Sequence, residues 1–225
     1  MIRLTGLCKT FHARGRPKVV ANNITCTFPS GKAVALLGRN GAGKSSLLAM
    51  ISGFLDPDAG KIDIEGSLSW PVGFAGSFHP DLTGAQNVRF IARVYGVDTD
   101  ALIAFVRDFA EIGGHFDMPV RTYSSGMKSR LSFGVSMGIR FDTYLVDEVT
   151  AVGDADFKKK SRAVFRQRME ESGAIFVSHS MKGVRRFCDA GAVLEQGVLV
   201  YYDDLEEAIA HHEANMGADD EDDED

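Results

Sequence analysis

The stretch ALLGRNGAGKSSLL, residues 35–48, decides the fold of this chain. An apolar run precedes its glycines and an apolar-periodic segment follows them, which predicts a strand, a loop and a helix in that order. The spacing from Gly38 to Ser45 is G-x-x-x-x-G-K-[ST]. In that motif, glycines let the backbone N–H groups and a helix N-terminus surround phosphate groups. The stretch therefore predicts a nucleotide-binding loop.

Two side chains of this loop have more specific predicted roles. Lys44 is expected to reach the β- and γ-phosphates, and the Ser45 hydroxyl is expected to bind Mg²⁺. The predicted nucleotide-binding residues of the loop are Gly38, Arg39, Asn40, Gly41, Ala42, Gly43, Lys44, Ser45 and Ser46.

The stretch TYLVDE at 143–148 is a second apolar run that ends in an acidic pair, Asp147 and Glu148. A P-loop site needs a second metal-binding acid at the end of a neighbouring strand, and Asp147 is predicted to hold Mg²⁺ directly or through water. Glu148 would then orient the attacking water as the catalytic carboxylate. Taken alone, such a pair is equally compatible with a loop or a helix cap, and its functional interpretation depends on the P-loop upstream.

The rest of the chain predicts strands before the loop, a helical segment after it, and a return to alternating strands and helices. Thr83 and Gln86 have the spacing of a capping box, so a helix is expected to start there. Apolar residues from 102 to 112 recur at helical spacing, and 127–139 is predicted to be a further helix. Gln196-Gly197 predicts a closing hairpin.

Composition excludes several classes of function. The chain has 225 residues, 44% of them hydrophobic, as expected for a globular protein. Residues 219–225 are all acidic and account for more than the whole net charge of −6, so the remainder is close to neutral. A near-neutral body argues against nucleic acid as a partner. Three widely spaced cysteines without a CxxC pair are typical of a reducing compartment and argue against a zinc site.

The order of these motifs resembles the ATP-binding-cassette family over residues 1 to about 205. It comprises a P-loop, a helical insert, Tyr123-Ser124-Ser125-Gly126-Met127-Lys128, the acidic strand end, and a His after the apolar run 174–178. The resemblance implies an α/β fold: a P-loop core with a RecA-like parallel sheet, an N-terminal antiparallel β subdomain and an inserted α-helical subdomain at about 84–140. The cassette would occupy 1–215, and 216–225 would be a disordered acidic tail.

The same resemblance implies roles for further residues. Phe11 would stack on adenine, and His179 would contact the γ-phosphate as a catalytic residue with Lys44 and Glu148. Ser125 and Gly126 would cap the γ-phosphate held by a second subunit, and Asp154 would lie in the loop that crosses between subunits. Each has a structural alternative: a strand-end core residue for Phe11, a helix N-cap for the turn with Ser125 and Gly126, a helix cap for Asp154, and a structural histidine for His179.

Four segments resemble, more narrowly, the ATPase subunits of capsular-polysaccharide exporters: SWPVG at 69–73, LTG at 82–84, YSSGM at 123–127 and VDEVTAVGD at 146–154. The resemblance implies ATP and Mg²⁺ as cofactors, an ATP-dependent head-to-tail homodimer, and an integral-membrane permease in two copies. The ATPase would lie at the cytoplasmic face of the bacterial inner membrane. Exporters of O-antigen or teichoic acid, a soluble non-transport cassette protein, and a regulatory module that does not hydrolyse ATP remain alternatives.

One feature departs from the family pattern. The family has a glutamine after the strand that leads into the helical subdomain, and residues 70–80 contain none. His79 is a candidate substitute, although a neutral imidazole is a poor ligand for Mg²⁺.

Overall fold

The computed structural model describes residues 1–13, 16–73, 76, 78–147, 155–178 and 180–220. The strands are β1 (Ile2–Ala13), β2 (Arg16–Phe28), β3 (Ala33–Leu37), β4 (Ala59–Ile64), β5 (Leu68–Pro71), β6 (Thr143–Asp147), β7 (Gly173–Val177), β8 (Ala190–Glu195) and β9 (Val198–Tyr202). The α-helices are α1 (Lys44–Ile51), α2 (Gly84–Val94), α3 (Thr99–Ala110), α4 (Ser125–Gly138), α5 (Ala155–Glu171), α6 (Met181–Phe187) and α7 (Leu205–Asp220). Two short 3₁₀ helices lie between α3 and α4, at Gly113–Asp117 and Val120–Thr122.

A six-stranded sheet in the order β5-β6-β7-β3-β8-β9 forms the centre of the first part of the fold. All its pairs are parallel except β8 with β9. Strands β3 and β7 are buried along their whole length, as expected for apolar strands inside a parallel sheet. Because β3, β7 and β6 run in the same direction, the loop after β3 and Asp147 at the end of β6 lie at the same edge.

A second, three-stranded sheet has the order β2-β1-β4 and is antiparallel throughout. It is the N-terminal antiparallel β subdomain that the resemblance implies. Its register pairs Phe11 with Lys18 across β1 and β2. The predicted α/β fold class is thus confirmed.

The chain divides into two compact units, each described here by itself. The first comprises Met1–Pro71, Phe141–Glu148 and Glu171–Asp225, and the second comprises Val72–Arg140 and Val149–Glu170. The second contains the segment 84–140 that was predicted to be helical, and it also takes in nearly all of α5. The alternation of strands and helices after residue 140 predicts instead that α5 belongs with the sheet.

Aromatic packing explains why α5 belongs to the helical unit. The Phe157 ring of α5 is buried, with its centroid 5.3 Å from that of Phe109 on α3 in an edge-on arrangement. The guanidinium of Arg130 on α4 lies 4.4 Å from the Phe157 ring centroid. On the surface, Lys160 pairs with Glu111 at 2.7 Å. Contacts with α3 and α4 therefore determine the grouping of α5, and periodicity within α5 does not reveal them.

Two local predictions are confirmed. Thr83 is the N-cap of α2: its hydroxyl accepts from the Gln86 N–H at 3.1 Å, and the Gln86 side chain accepts from the Thr83 N–H at 2.9 Å. The β8–β9 turn has φ of 47° at Gln196 and 80° at Gly197, which are the positive values that a tight hairpin turn requires.

The C-terminal segment differs from its prediction. Helix α7 continues to Asp220, into the region from 216 onward that was expected to be disordered, and residues 221–225 lie outside the described residues. The first half of α7 is fixed by side-chain contacts. Arg185 makes a two-point ion pair with Glu206, and the Tyr202 hydroxyl lies 2.8 Å from His211 Nδ1.

The cysteines are free, and two of them are buried. Burial raises the pKa of the Cys188 thiol to about 12 and that of Cys26 to about 11, so both thiols stay protonated and unreactive. Cys8 is half-buried. Within the described ranges, no helix combines the length and the apolar character needed to cross a bilayer.

Candidate functional site

A cleft of about 400 Å³ opens at the sheet edge where β3 and β6 end. Its volume falls in the usual range for small-molecule sites. Four separate segments line it: the β1–β2 hairpin, the loop after β3 with the start of α1, Asp147 at the end of β6, and Val177 at the end of β7. Eight of the predicted residues are among its lining, namely Phe11, Asn40, Gly41, Gly43, Lys44, Ser45, Ser46 and Asp147.

The loop after β3 presents backbone N–H groups to this cleft. Gly43 is the N-cap of α1 with φ of 109°, and no side chain caps the helix. The first backbone bond of the helix runs from the Leu47 N–H to the Gly43 carbonyl. A β-carbon on Gly43 would also lie 2.9 Å from Val20 Cβ, so both backbone angle and packing against β2 require glycine. The uncapped start of α1 is therefore suited to an anion.

Lys44 folds back over the loop that precedes it. Its ammonium donates to the Gly38 carbonyl at 2.6 Å and to the Arg39 carbonyl at 2.9 Å. These two bonds hold the positive charge of Lys44 at the loop. A phosphate in the cleft would thus meet an ammonium already positioned there.

Ser45 and Asp147 bring the oxygen donors to the cleft. Asp147 ends β6, is half-buried, and pairs in register with Val177 on β7. Hydroxyl and carboxylate oxygens are the ligand types that Mg²⁺ prefers. In the described part of the chain, no group of three or more His, Cys, Asp or Glu residues is arranged to hold a metal ion. A Mg²⁺ ion here would therefore take its other ligands from water and phosphate, as Mg²⁺ commonly does in phosphate sites.

Phe11 provides an aromatic surface where β1 lines the cleft. Its side chain is 37% exposed, and the Lys9 ammonium lies 5.6 Å from its ring centroid. An exposed ring in a nucleotide-sized cleft can stack on a base. The alternative, a buried core residue at a strand end, is not what the structure shows.

Lys18 and Val20 also line the cleft, and the sequence analysis did not identify them. Both lie on β2, two residues apart, and share one face of the strand. The signal that identifies them is the β1–β2 register, which sequence alone does not supply.

The segment 123–128 lies in the second unit and starts α4. Ser124 is the N-cap, and its hydroxyl accepts from the Met127 N–H at 3.2 Å, so the helix predicted at 127–139 begins two residues earlier, at Ser125. Ser125 is the first residue of the helix and is exposed. A cleft of about 540 Å³ there is lined by Ser124, Gly126, Met127 and Arg130, with residues 111–115 opposite.

Among the residues that the structure describes, none requires glycine at 126. A β-carbon built on Gly126 would have Ser124 Oγ, at 3.9 Å, as its nearest neighbour. Space at the exposed start of a helix suits an anion that approaches from outside.

Three predicted residues, Glu148, Asp154 and His179, lie outside the described residues. His79, the candidate substitute for the missing glutamine, lies within them. Its Nδ1 accepts from the Asp81 N–H at 3.2 Å, and its backbone N–H donates to the Asn87 side chain at 2.8 Å. The structure therefore shows His79 in a local turn that is anchored to α2.

Residues 21–151 match the family described as ABC transporter. The Escherichia coli polysialic acid transport ATP-binding protein KpsT is 48% identical over 93% of this chain and 95% of its own length. The capsule polysaccharide export ATP-binding protein CtrD of Neisseria meningitidis serogroup B is 40% identical over 94% of this chain and 98% of its own.

A solved structure gives the same fold. It is a dimeric post-hydrolysis state of the ATP-binding cassette MJ0796 bound to ADP and Pi, with a TM-score of 0.71. The match covers 88% of this chain and 96% of that one, at 20% sequence identity.

Proposed function

Because this chain belongs to the ABC transporter family, we propose that it is the ATP-hydrolysing subunit that powers export of a capsular polysaccharide. A separate transmembrane subunit would carry the polysaccharide across the bacterial inner membrane. The observation that supports the substrate class is the identity with KpsT and CtrD over nearly the full length of each. The observation that supports ATP hydrolysis is the cleft that gathers Phe11, Lys44 and Asp147 from separate elements.

In this proposal the P-loop cleft binds MgATP. Phe11 stacks on adenine, the N–H groups at the start of α1 bind phosphate oxygens, and Lys44 exchanges its loop carbonyls for the β- and γ-phosphates. Ser45 and Asp147 hold Mg²⁺, which neutralises charge on the phosphates when bound. Glu148, which follows Asp147 directly, positions the attacking water, and His179 contacts the γ-phosphate.

The functional assembly in this proposal is a head-to-tail homodimer. The start of α4, with Ser125 and Gly126, caps the γ-phosphate that the partner's P-loop holds, and Asp154 lies in the loop between subunits. The exposed Ser125 and the open space at Gly126 support this assignment. Shifting a two-state gate from 1:99 to 99:1 takes about 5.5 kcal/mol of differential binding, which two such sites can supply.

The proposed membrane partner is a permease, in two copies, which would keep the ATPase at the cytoplasmic face of the membrane. Helix α2 offers a surface for such a partner. Phe90 and Val94 are four residues apart, so they share one face of the helix, and they are 60% and 62% exposed. Tyr95 beside them is also exposed. Adjacent exposed apolar side chains of this kind are typical of contact surfaces.

The dimer is tested by trapping it. Glu148→Gln should accumulate an ATP-bound dimer in size-exclusion chromatography at millimolar ATP. Adding Ser125→Ala should prevent the dimer. The neighbouring Ser124→Ala should leave the dimer in place and instead lower the free energy of unfolding by about 1 kcal/mol, because it removes the α4 cap. Equal behaviour of the two serine variants would contradict the assignment of Ser125.

The transport role is tested in a cell that exports capsule. Lys44→Ala and Glu148→Gln should abolish both ATP hydrolysis and surface polysaccharide. Val94→Asp should prevent co-purification with the membrane subunit while ATP binding persists. Val198→Asp, at a valine that is 51% exposed on β9, is the matched control and should co-purify normally. Normal export by the Lys44 variant would refute the proposed function.

A further inference from the structure

Lys18 on β2 is a second cation at the phosphate loop. Its ammonium lies 3.2 Å from the position that a β-carbon on Gly41 would take, so it is directly over the loop that follows β3. Lys18 is exposed and lines the same cleft as Lys44. Of the residues that the structure describes, the cleft lining contains these two lysines and one carboxylate, Asp147.

Register fixes the direction in which Lys18 extends. Lys18 is directly opposite Phe11 in the antiparallel β1–β2 pair, so the two side chains are close neighbours on one face of the sheet. Val20, two residues further along the same face, packs over Gly43. Strand β2 therefore runs from the ring of Phe11 to the glycines of the loop. The Lys18 side chain starts beside Phe11, and its ammonium lies near Gly41.

Lys18 differs from four other lysines of the chain in its partners. Lys9, Lys32, Lys61 and Lys160 each form an ion pair with a carboxylate. Across the part of the chain that the structure describes, the Lys18 ammonium forms no ion pair and no hydrogen bond. An ammonium that is unpaired and close to an uncapped helix start raises the positive potential where phosphate would bind.

We propose that Lys18 is a second phosphate-binding lysine, which binds the α- and β-phosphates of the nucleotide from the side opposite Lys44. The inference rests on the proposed function, because it requires a nucleotide in the cleft. Phe11 places the base at one end of Lys18 and Gly41 places the loop at the other, so the phosphates nearest the ribose are those within its reach. Lys18 would thereby favour nucleoside di- and triphosphates over nucleosides.

The test is equilibrium binding by titration calorimetry, with MgATP, MgADP and adenosine as probes. Lys18→Met keeps the side-chain length and removes the charge. It should weaken the binding of MgATP and of MgADP by about tenfold each and leave the binding of adenosine unchanged. The salt dependence of MgADP binding should also become shallower, because one screened attraction has been removed. Lys18→Arg should retain most of the affinity.

Lys61→Met is the matched control, since it removes a surface ammonium of the same small sheet that does not line the cleft. It should bind all three probes like the unsubstituted chain, and all variants should keep the same thermal midpoint. Unchanged MgADP affinity in Lys18→Met, with normal binding by the unsubstituted chain, would overturn this inference alone. Absence of MgATP binding by the unsubstituted chain would overturn the proposed function and this inference with it.

Discussion

Replacing Gly126 with alanine is expected to stabilise the folded chain and to abolish its ATP-dependent dimer. Gly126 is the second residue of α4, and a β-carbon there would have no neighbour closer than 3.9 Å among the residues that the structure describes. Alanine is favoured over glycine in a helix by about 0.5–1 kcal/mol. The free energy of unfolding should therefore rise by about 0.5 kcal/mol, with a rise in thermal midpoint of about 1–2 °C.

The Gly126→Ala substitution is expected to be unfavourable only in the proposed dimer. A methyl group at 126 would occupy the space through which the partner's γ-phosphate approaches the N–H groups of α4. Hydrogen bonds to a charged group contribute about 1.5–3 kcal/mol each. Two symmetry-related sites would lose about 3–6 kcal/mol together, which weakens the dimer by about 10²–10⁴-fold.

Sedimentation velocity at millimolar ATP, in a Glu148→Gln background, measures the dimer, and thermal denaturation without nucleotide measures stability. Gly183→Ala is the matched control, because Gly183 also lies in the first turn of a helix and its β-carbon would have no described neighbour closer than 3.6 Å. It should show a similar gain in stability and an intact dimer. A Gly126→Ala variant that dimerises like its parent would refute the placement of a phosphate at α4.

Three further predictions concern the first unit. Burial, followed by the positive charge of Lys44, lowers the pKa of His212 below its usual 6.5. Between the folded pKa and about pH 6.5 the unfolded chain therefore binds more protons than the folded chain, and the free energy of unfolding should fall as pH decreases through this range. His212→Gln should make this pH dependence shallower in urea titrations. An unchanged pH dependence would contradict the prediction. Gly38→Ala should lower the free energy of unfolding by about 1–3 kcal/mol in the same assay, since φ at Gly38 is 149° and a β-carbon would clash with the Leu194 carbonyl oxygen. A variant as stable as the parent would argue against this packing. Phe11→Ala should weaken MgATP binding by about 5–100-fold in calorimetry, whereas Phe11→Tyr should leave it unchanged, because stacking needs only an aromatic ring. Equal MgATP affinities of the two variants would support a role other than stacking.

Sequence alone identified the features that depend on neighbouring residues. The Thr83–Gln86 capping box and the Gln196-Gly197 turn are set by residues within a few positions of one another, and both appear in the structure as expected. The P-loop is of the same kind, because strand, glycines and helix follow one another directly. Asp147 was identified through a topological rule, since parallel strands bring their carboxyl ends to one edge.

Features that depend on distant segments were missed. Lys18 faces the cleft only because β1 and β2 pair in the register that places it opposite Phe11. Helix α7 has few buried residues of its own, and it is held because Ala208 packs closely against Gly191, where the absence of a side chain leaves room. The grouping of α5 with the helical unit likewise depends on Phe157 meeting Phe109. In each case the partner lies far along the chain, and no local pattern specifies it.

The two helix starts explain why the proposed dimer would need nucleotide. The start of α1 is uncapped and carries the charge of Lys44, while the start of α4 is exposed, and both present the positive end of a helix dipole. Two positive ends repel when they face each other without an anion between them. A γ-phosphate supplies that anion and turns repulsion into two sets of charge-assisted hydrogen bonds. Its loss on hydrolysis would restore the repulsion, so the same geometry that closes the dimer would also open it.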